Sequence, residues 1–400
     1  TATSNVIDQE KMAVILQEVV GKQYDGRYYP NISGVLRSLN YYPIGDERAE
    51  DGIASLALGL GKYIVDGGQT LRVSPYHPNQ ILQTSELDTA LRETQTRFYA
   101  LDTRHVGNDF KVDDGFNILN LKVKEAERDN SLNYIASTYD PYDQVIRDGI
   151  YDGGRKVITF ASVLQHGVFP LPQLLQLSMK YGAESMRRPV EIEFACNINQ
   201  DRTGALYLLQ IRPIVDSKQM LDEDVAAVPD ADCILRSHNS LGHGVTEDVT
   251  DIVYVKTDDR FTASDNPMIA REIEKINKTY LDSGANYVLV GPGRWGSSDS
   301  WLGIPVKWPH ISAARVIVEV ALKNYRVDPS QGTHFFQNLT SFGVGYFTID
   351  ENRGEGFFCK SELDAMPSVM ETEHVRVVRF ARPLKIMMDG KRQEGAVLRR

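Results

Sequence analysis

Two short segments of this chain, residues 190–194 and 206–213, carry side chains whose types and spacing suit chemistry. Each alternates apolar and polar residues, which is typical of a strand with one buried face. Residues 197–204 between them are rich in turn formers. The pattern therefore predicts an antiparallel hairpin.

Alternation assigns the polar side chains of this hairpin to one face. If Glu193 lies opposite Gln210, counting along antiparallel strands puts Glu191 opposite Arg212. Two carboxylates and an amide oxygen suit a hard cation, and a guanidinium binds phosphate through two hydrogen bonds. The alternative is a solvated hairpin face with one cross-strand ion pair. The opposite, apolar face is predicted to hold Val190, Ile192 and Phe194.

Composition limits the classes of protein that this chain can belong to. With 400 residues, of which 42% are hydrophobic, it can form two cores, so we predict domains at 1–220 and 230–400 joined by an acidic linker at 216–232. A net charge of −10 argues against nucleic acid as a partner. No apolar run is long enough to span a membrane. Three widely separated cysteines suit a reducing compartment, so we expect a cytoplasmic protein.

Five segments, in this order along the chain, resemble motifs of one known family. The first three read Leu-Gln-Glu-Val-Val (16–20), Ser-Gly-Val-Leu (33–36) and Gly-Leu-Gly-Lys-Tyr-Ile-Val-Asp-Gly (59–67). The last two are Glu-Ile-Glu-Phe (191–194) and Leu-Leu-Gln-Ile-Arg-Pro (208–213). Together they resemble the ATP-grasp nucleotide-binding domain of the pyruvate phosphate dikinase and phosphoenolpyruvate synthase family, over roughly residues 10–215.

The resemblance implies an ATP site with Mg²⁺. It makes Glu193 and Gln210 metal ligands and Arg212 the catalytic residue that contacts phosphate. The residues implied to contact the nucleotide are Gln17, Glu18, Gly59, Gly61 and Glu191. Lys62 departs from the family pattern, in which an acidic residue is usual at that position. The loop between the two hairpin strands is also longer than in typical members.

The implied fold is α+β, an incomplete ATP-grasp lobe followed by a second α/β domain. The family's amino-terminal lobe, which carries a phosphate-gripping lysine, would precede Thr1. We therefore expect that lobe of the same protein, together with the nucleotide, as partners, and we leave a homodimer open. We expect the chain alone to be inactive and to bind ATP no tighter than roughly millimolar.

Periodicity predicts the main elements around these motifs. We expect a strand at 12–20 and a helix at 171–181 that stops at Gly182. A further helix should start at Asn266-Pro267, with Ile269, Ile273, Ile276 and Tyr280 on one apolar stripe. Further strands are predicted at 287–290, 316–320, 344–349, 375–380 and 384–388. The glycines at 59 and 61 either permit close approach of a phosphate or form a tight strand-to-helix turn.

The second domain contains one candidate anion site, the loop 291–299. Its residues Gly291, Gly293, Arg294 and Ser297 offer backbone amides, a hydroxyl and a guanidinium. The alternative is a structural loop that tucks Trp295 and Trp301 into the core.

Histidines offer weaker candidates. His238 and His243 lie five residues apart in a glycine-broken loop, and His334 follows a Gly-Thr pair. No zinc spacing is present, so surface or core histidines are favoured.

Three functions compete at this point. The first is a Mg²⁺-dependent phosphotransferase of the dikinase type, with catalysis in the full-length parent. The second is a non-catalytic module that senses nucleotide. The third is a scaffold that retains only the fold.

Overall fold

The computed structural model describes residues 16–104, 115–214, 224–258, 261–297, 299, 301–322, 339 and 343–399. Both halves of the chain contain helices as well as strands, which confirms the predicted α+β class. No helix in these described ranges combines the length and the apolar character needed to cross a membrane.

In its described residues, the first half of the chain contains three antiparallel sheets and five α-helices. Its strands are β1 (Lys22–Tyr24), β2 (Arg27–Tyr29), β3 (Ile32–Arg37), β4 (Ile53–Ala57), β5 (Leu71–Val73), β6 (Arg97–Asp102), β7 (Ile118–Lys122), β8 (Ala136–Asp140), β9 (Val145–Asp148), β10 (Arg155–Ile158), β11 (Val190–Ile198) and β12 (Gly204–Pro213). Its helices are α1 (Lys62–Val65), α2 (Leu87–Glu93), α3 (Val123–Ala126), α4 (Ala161–Leu164) and α5 (Leu171–Met186). The sheets have the orders β12-β11-β3-β4-β5, β1-β2-β6-β7 and β10-β8-β9.

The five-stranded sheet packs one face against α5. Val190, Ile192 and Phe194 are all buried on that face, as alternation predicted. The helix does not stop at Gly182 but continues to Met186, so the predicted end was wrong. Gly182 is a packing residue, because a Cβ there would meet Ile211 Cδ1 at 2.9 Å. The helix can therefore lie close to the hairpin.

The second half of the chain is built on two larger sheets. Its strands are β13 (Cys233–Ser237), β14 (Asn239–Leu241), β15 (His243–Thr246), β16 (Asp251–Val255), β17 (Tyr287–Pro292), β18 (Arg294–Trp295), β19 (Gly303–Ile304), β20 (Ala314–Val320), β21 (Gly345–Ile349), β22 (Gly356–Phe358), β23 (Ser368–Glu371), β24 (Val375–Arg379), β25 (Lys385–Asp389) and β26 (Glu394–Leu398). Its helices are α6 (Asn266–Ser283) and α7 (Lys360–Ala365). The sheets have the orders β14-β21-β20-β17-β16-β24-β23 and β15-β25-β26-β13-β22, and β18 and β19 form a two-stranded sheet.

A crossover through α6 joins the parallel neighbours β16 and β17. The helix begins at Asn266-Pro267 and buries the predicted stripe, so both predictions are confirmed. That stripe consists of Ile269, Ile273, Ile276 and Tyr280. The predicted strands of the second half all form, with ends within two residues of the predicted ones.

The two halves have separate cores and contact each other through a few residues of the first half. One hydrophobic core draws on residues between 29 and 198 and others on residues between 234 and 397. Tyr42, Ile44 and Leu82 of the first half pack against a core of the second. Residues 215–223 lie outside the described ranges, so the boundary at 220–230 remains a prediction.

The predicted strand at 12–20 was wrong for the residues that can be compared. Residues 16–20 form no regular secondary structure, and 12–15 lie outside the described ranges. The first strand begins only at Lys22. Gln17 instead contacts the hairpin through its side chain, whose Nε2 donates to the Leu209 carbonyl at 3.0 Å.

Candidate active site

The hairpin β11–β12 forms with the register that the sequence predicts. Glu193 pairs with Gln210, and Glu191 pairs with Arg212. Directly opposed residues of an antiparallel pair point to the same side of the sheet. The four polar side chains therefore share one face, and the prediction that Glu193 and Gln210 do so is confirmed.

Neighbouring strands extend this polar face across the sheet. One row runs Arg212, Glu191, Arg37 over β12, β11 and β3. The next row runs Gln210, Glu193, Val35, Ser55, Arg72 over all five strands. At a strand spacing near 4.8 Å, the second row is roughly 19 Å long.

Glu191 is clamped between two arginines from different strands. Arg212 Nε donates to Glu191 Oε1 at 2.9 Å, Arg212 Nη2 donates to the same oxygen, and Arg37 Nε donates to Oε2 at 2.7 Å. The Glu191 side chain is only 9% exposed, whereas those of Arg212 and Arg37 are 57% and 54% exposed. Both guanidinium groups can therefore reach solvent or a ligand while one buried carboxylate holds them in place.

The electrostatics of this clamp follow from its geometry. Burial alone would raise the pKa of Glu191, but the hydrogen bonds from Arg212 and Arg37 outweigh it and lower the pKa. The same hydrogen bond raises the pKa of Arg212. Both groups are therefore charged at neutral pH. Because both Glu191 oxygens accept hydrogen bonds, this carboxylate acts as an anchor for arginine.

Glu193 has a different environment from Glu191. It is half-buried, and its carboxylate makes no hydrogen bond or ion pair with any residue that the structure describes. Gln210 opposite it is exposed on the outer strand, and its side-chain amide likewise has no partner in the described ranges. A carboxylate oxygen and an amide oxygen are both ligands that Mg²⁺ accepts.

Most of the polar face lines a cleft of about 790 Å³ on the open face of the sheet, but Gln210, on the outer strand, is not one of the lining residues. Glu191, Glu193 and Arg212 form one end of it. Arg72, which donates to Asn40 Oδ1 and the Tyr42 carbonyl at 2.7 Å each, lies toward the other end. The volume falls within the usual range for small-molecule sites. Sequence reasoning missed Arg37 and Arg72. Alternation along β3 puts Arg37 on the same face as Val35, and the pairing of Val35 with Glu193 makes this the polar face.

A β-bulge lies beside the paired polar residues. Glu193 pairs with Gln210 but Phe194 pairs with Leu208, so Leu209 is the extra residue. Its carbonyl is the acceptor for Gln17. The predicted nucleotide contacts Gln17 and Glu18 are thus exposed next to the outer strand, and neither lines the cleft.

The two predicted phosphate-loop glycines form a tight turn before α1. Gly59 has φ +89°, and a Cβ there would lie 2.5 Å from the Tyr99 carbonyl oxygen. Gly61 has an ordinary helical conformation and only van der Waals contact with Ser33. Neither lines the cleft, which favours the turn interpretation. Residues further along, Ile64 to Gly68, supply that part of the wall.

The candidate anion loop in the second half has its amides already engaged. The amides of Gly293, Arg294 and Gly296 donate to the carbonyls of residues 320, 302 and 304 at 2.9–3.2 Å. Gly291 lies within β17, and Ser297 Oγ donates to the Asp299 carbonyl. These hydrogen bonds favour the structural-loop alternative, so we assign no anion site to this loop.

The tryptophans of this loop behave differently from each other. Trp295 is buried, and its backbone amide and Nε1 donate to Glu319 Oε1 and the Val318 carbonyl at 2.9 Å each. Trp301 is 69% exposed, so its predicted place in the core was wrong. The Trp301 backbone amide donates to Asp299 Oδ1 at 2.9 Å, within the same turn.

The histidines of the loop 238–243 have structural partners. His238 Nδ1 lies 2.9 Å from Glu394 Oε2, and the His243 ring stacks on Tyr41 with centroids 4.4 Å apart. His334 lies outside the described ranges. Glu272, Glu373 and His374 form a cluster that the sequence did not reveal. His374 Nδ1 lies 3.0 Å from Glu272 Oε1, and this contact explains the cluster without a metal ion.

Comparison with known families decides which kind of site this is. A family model described as the pyruvate phosphate dikinase AMP/ATP-binding domain matches residues 3–230, more than half of the chain. The chain belongs to this family. Its first half is therefore a dikinase-related, nucleotide-binding module. No curated protein matches the chain.

The match to the AMP/ATP-binding domain family includes the whole cleft but not the second half of the chain. All of the cleft-lining residues fall within 35–212, inside the matched range. Residues 231–400 lie outside the match. Lys62, the departure from the family pattern, forms an ion pair with Asp66 at 3.0 Å one helical turn away.

Proposed function

We propose that the cleft on the five-stranded sheet binds ATP together with Mg²⁺ and serves phosphoryl transfer of the dikinase type. One observation carries the proposal. Glu193, a carboxylate with no hydrogen bond or ion pair to any described residue, lies on the same face of the hairpin as Arg212, whose guanidinium is held by the buried Glu191. Phosphoryl transfer depends mainly on positioning and on charge stabilisation, and these groups supply both.

In this proposal Glu193 and Gln210 hold Mg²⁺. The donor set fits the ion, because carboxylate and amide oxygens are hard ligands and neither side chain is engaged elsewhere in the described ranges. When bound, the ion would neutralise part of the charge on the phosphate oxygens.

Arg212 contacts the transferring phosphate and stabilises its charge. Its Nη1 and one proton of Nη2 remain available, because Glu191 takes only Nε and one Nη2 proton. Glu191 then acts through Arg212 as a positioning residue. This role replaces the direct nucleotide contact that the family resemblance implied for it.

The test compares Glu193→Gln with a matched control on α5, Glu184→Gln, whose exposed carboxylate also lacks a described partner. Calorimetric titration with ATP over a series of Mg²⁺ concentrations is the measurement. Loss of one charged metal ligand should raise the Mg²⁺ concentration for half-saturation at least about tenfold, or about 1.4 kcal/mol. The control should match the unsubstituted protein. Equal Mg²⁺ dependence in all three proteins would refute the metal assignment.

A specific contact favours a second candidate, a nucleotide sensor. Residues 39–42 line the cleft, and the same segment contacts the second half of the chain. Gly242 N donates to the Tyr41 carbonyl at 3.0 Å, and Tyr42 Oη donates to the Val344 carbonyl at 3.4 Å. A ligand that moves this segment would therefore change contacts in the second half. ATP binding with no turnover by the full-length parent under any Mg²⁺ condition would favour this candidate over the enzyme.

A further inference from the structure

A second cleft lies apart from the nucleotide cleft, where the sheet β1-β2-β6-β7 meets the sheet β10-β8-β9. Its volume is about 740 Å³. Five cationic side chains and one carboxylate line it, although the chain as a whole has a net charge of −10. These charged residues are Arg97, Lys122, Lys124, Arg155, Lys156 and Glu127.

The cations of this basic cleft lack acidic partners. None of the five lies within 4.0 Å of a carboxylate in the part of the chain that the structure describes. Arg97 Nε donates to Asn120 Oδ1 at 2.7 Å, and Lys156 Nζ donates to the Gly153 carbonyl at 2.7 Å, so neutral groups hold these two. Elsewhere in the same half, Arg27 is paired with Asp129 at 2.6 Å.

The sheet register brings two of these positive charges close together. Arg97 of β6 and Lys122 of β7 are directly opposed. Like charges at opposed positions of an antiparallel pair destabilise it. The walls of a cleft also concentrate the field of charges that share one sign. An anion bound between these side chains would relieve the repulsion.

We propose that the basic cleft binds a small polyanion that carries several phosphate groups, without a metal ion. The excess of four positive charges matches such a ligand. Glu127 is the one carboxylate in the lining, and the amide oxygen of Gln95 already accepts a hydrogen bond from the Leu58 amide at 2.7 Å, so the cleft offers no available carboxylate–amide pair like the one in the nucleotide cleft. The site uses none of the residues assigned to phosphoryl transfer, so it stands independently of the proposed function.

The test is calorimetric titration of the 400-residue chain with sodium tripolyphosphate in EDTA, at low and at high salt. The variant is Lys122→Gln/Lys124→Gln. The matched control is Lys275→Gln/Lys278→Gln, which removes two exposed lysines from α6. A third protein, Arg212→Gln, alters the nucleotide cleft. Lys122→Arg/Lys124→Arg keeps both charges and reports whether the site tolerates substitution.

We expect saturable binding that high salt weakens. Loss of two charged donors should weaken it at least about tenfold in the Lys122→Gln/Lys124→Gln variant. The α6 control, the Arg212 variant and the double-arginine variant should stay within about twofold of the unsubstituted protein. Absence of saturable binding, or equal binding by the glutamine variant and its control, would overturn the proposal. A loss confined to Arg212→Gln would also overturn it, because the anion would then occupy the nucleotide cleft.

Titration with ATP in the same EDTA buffer distinguishes two sources of the anion. If the double-glutamine variant also weakens metal-free ATP binding, the site takes nucleoside polyphosphates. If only tripolyphosphate binding weakens, the site takes the inorganic form. Both results support a polyphosphate site in this cleft.

Discussion

Arg212→Lys separates a ligand-binding role of this arginine from a structural one. The substitution keeps the positive charge but replaces a planar fork of donors with a single ammonium group. In the structure, Arg212 donates twice to Glu191 Oε1 and still has donors available for a phosphate. A lysine can donate hydrogen bonds to Glu191 or to the phosphate, but it cannot reproduce both contacts.

The two effects differ in size. For stability, Glu191 keeps the hydrogen bond from Arg37 at 2.7 Å, so no buried carboxylate is left unpaired. The Arg212 side chain is 57% exposed, so solvent screens the lost contact and the free energy of unfolding should fall by under about 1 kcal/mol. For binding, loss of a hydrogen bond between charged groups costs about 1.5–3 kcal/mol, or roughly tenfold to a hundredfold in affinity.

The assay measures the dissociation constant for Mg²⁺–ATP by calorimetry and the thermal midpoint on the same preparations. Turnover of ATP is recorded on the full-length parent, because we expect the chain alone to be inactive, and it should fall by a similar or larger factor. Arg37→Lys is the matched control, because Arg37 holds the other oxygen of the same carboxylate and is exposed to a similar extent. We expect its effect on ATP affinity to be several-fold smaller.

Two outcomes would refute this reasoning. If Arg212→Lys leaves ATP affinity and turnover unchanged while it strongly lowers the thermal midpoint, Arg212 is a structural residue. If Arg37→Lys weakens ATP binding as much as Arg212→Lys does, the clamp as a whole matters and the fork of Arg212 has no special role.

The remaining predictions concern the buried carboxylate and the glycine turn. Because its pKa is held below the ordinary 4.5, Glu191 stabilises the fold fully above about pH 4.5 and loses this contribution as the pH falls through the lowered value. Urea unfolding of Glu191→Gln should therefore show lower stability at pH 7 and a shallower decline toward pH 3, and parallel pH profiles would contradict this. Gly59→Ala should cost roughly 1–3 kcal/mol, because φ is +89° and the Tyr99 carbonyl oxygen lies 2.5 Å from the new Cβ. Gly61→Ala, its control, should change stability by about 0.5 kcal/mol or less, and equal thermal shifts for the two would contradict the turn assignment.

The sequence alone determined the features that depend on neighbouring residues. Alternation assigned the faces of β11, and counting from a Glu193–Gln210 pair put Glu191 opposite Arg212; the structure has both pairs. The apolar stripe of α6 was equally local, and so was its start at Asn266-Pro267. Such patterns can be seen in sequence because side-chain direction follows a fixed period along a strand or a helix.

Only the tertiary structure decided which strands lie beside the hairpin. Arg37 reaches Glu191 across 154 residues of chain, and no local pattern records that β3 is the neighbour of β11. The same pairing turns Glu191 from an expected ligand contact into an anchor for two arginines. Gly182 was misjudged, and two interpretations of the loop after β17 stayed open, for a related reason. Their surroundings come from distant elements, Ile211 of β12 in one case and residues 302–320 in the other. Long-range packing thus determines the partners of a side chain, whereas local periodicity determines only the direction in which it points.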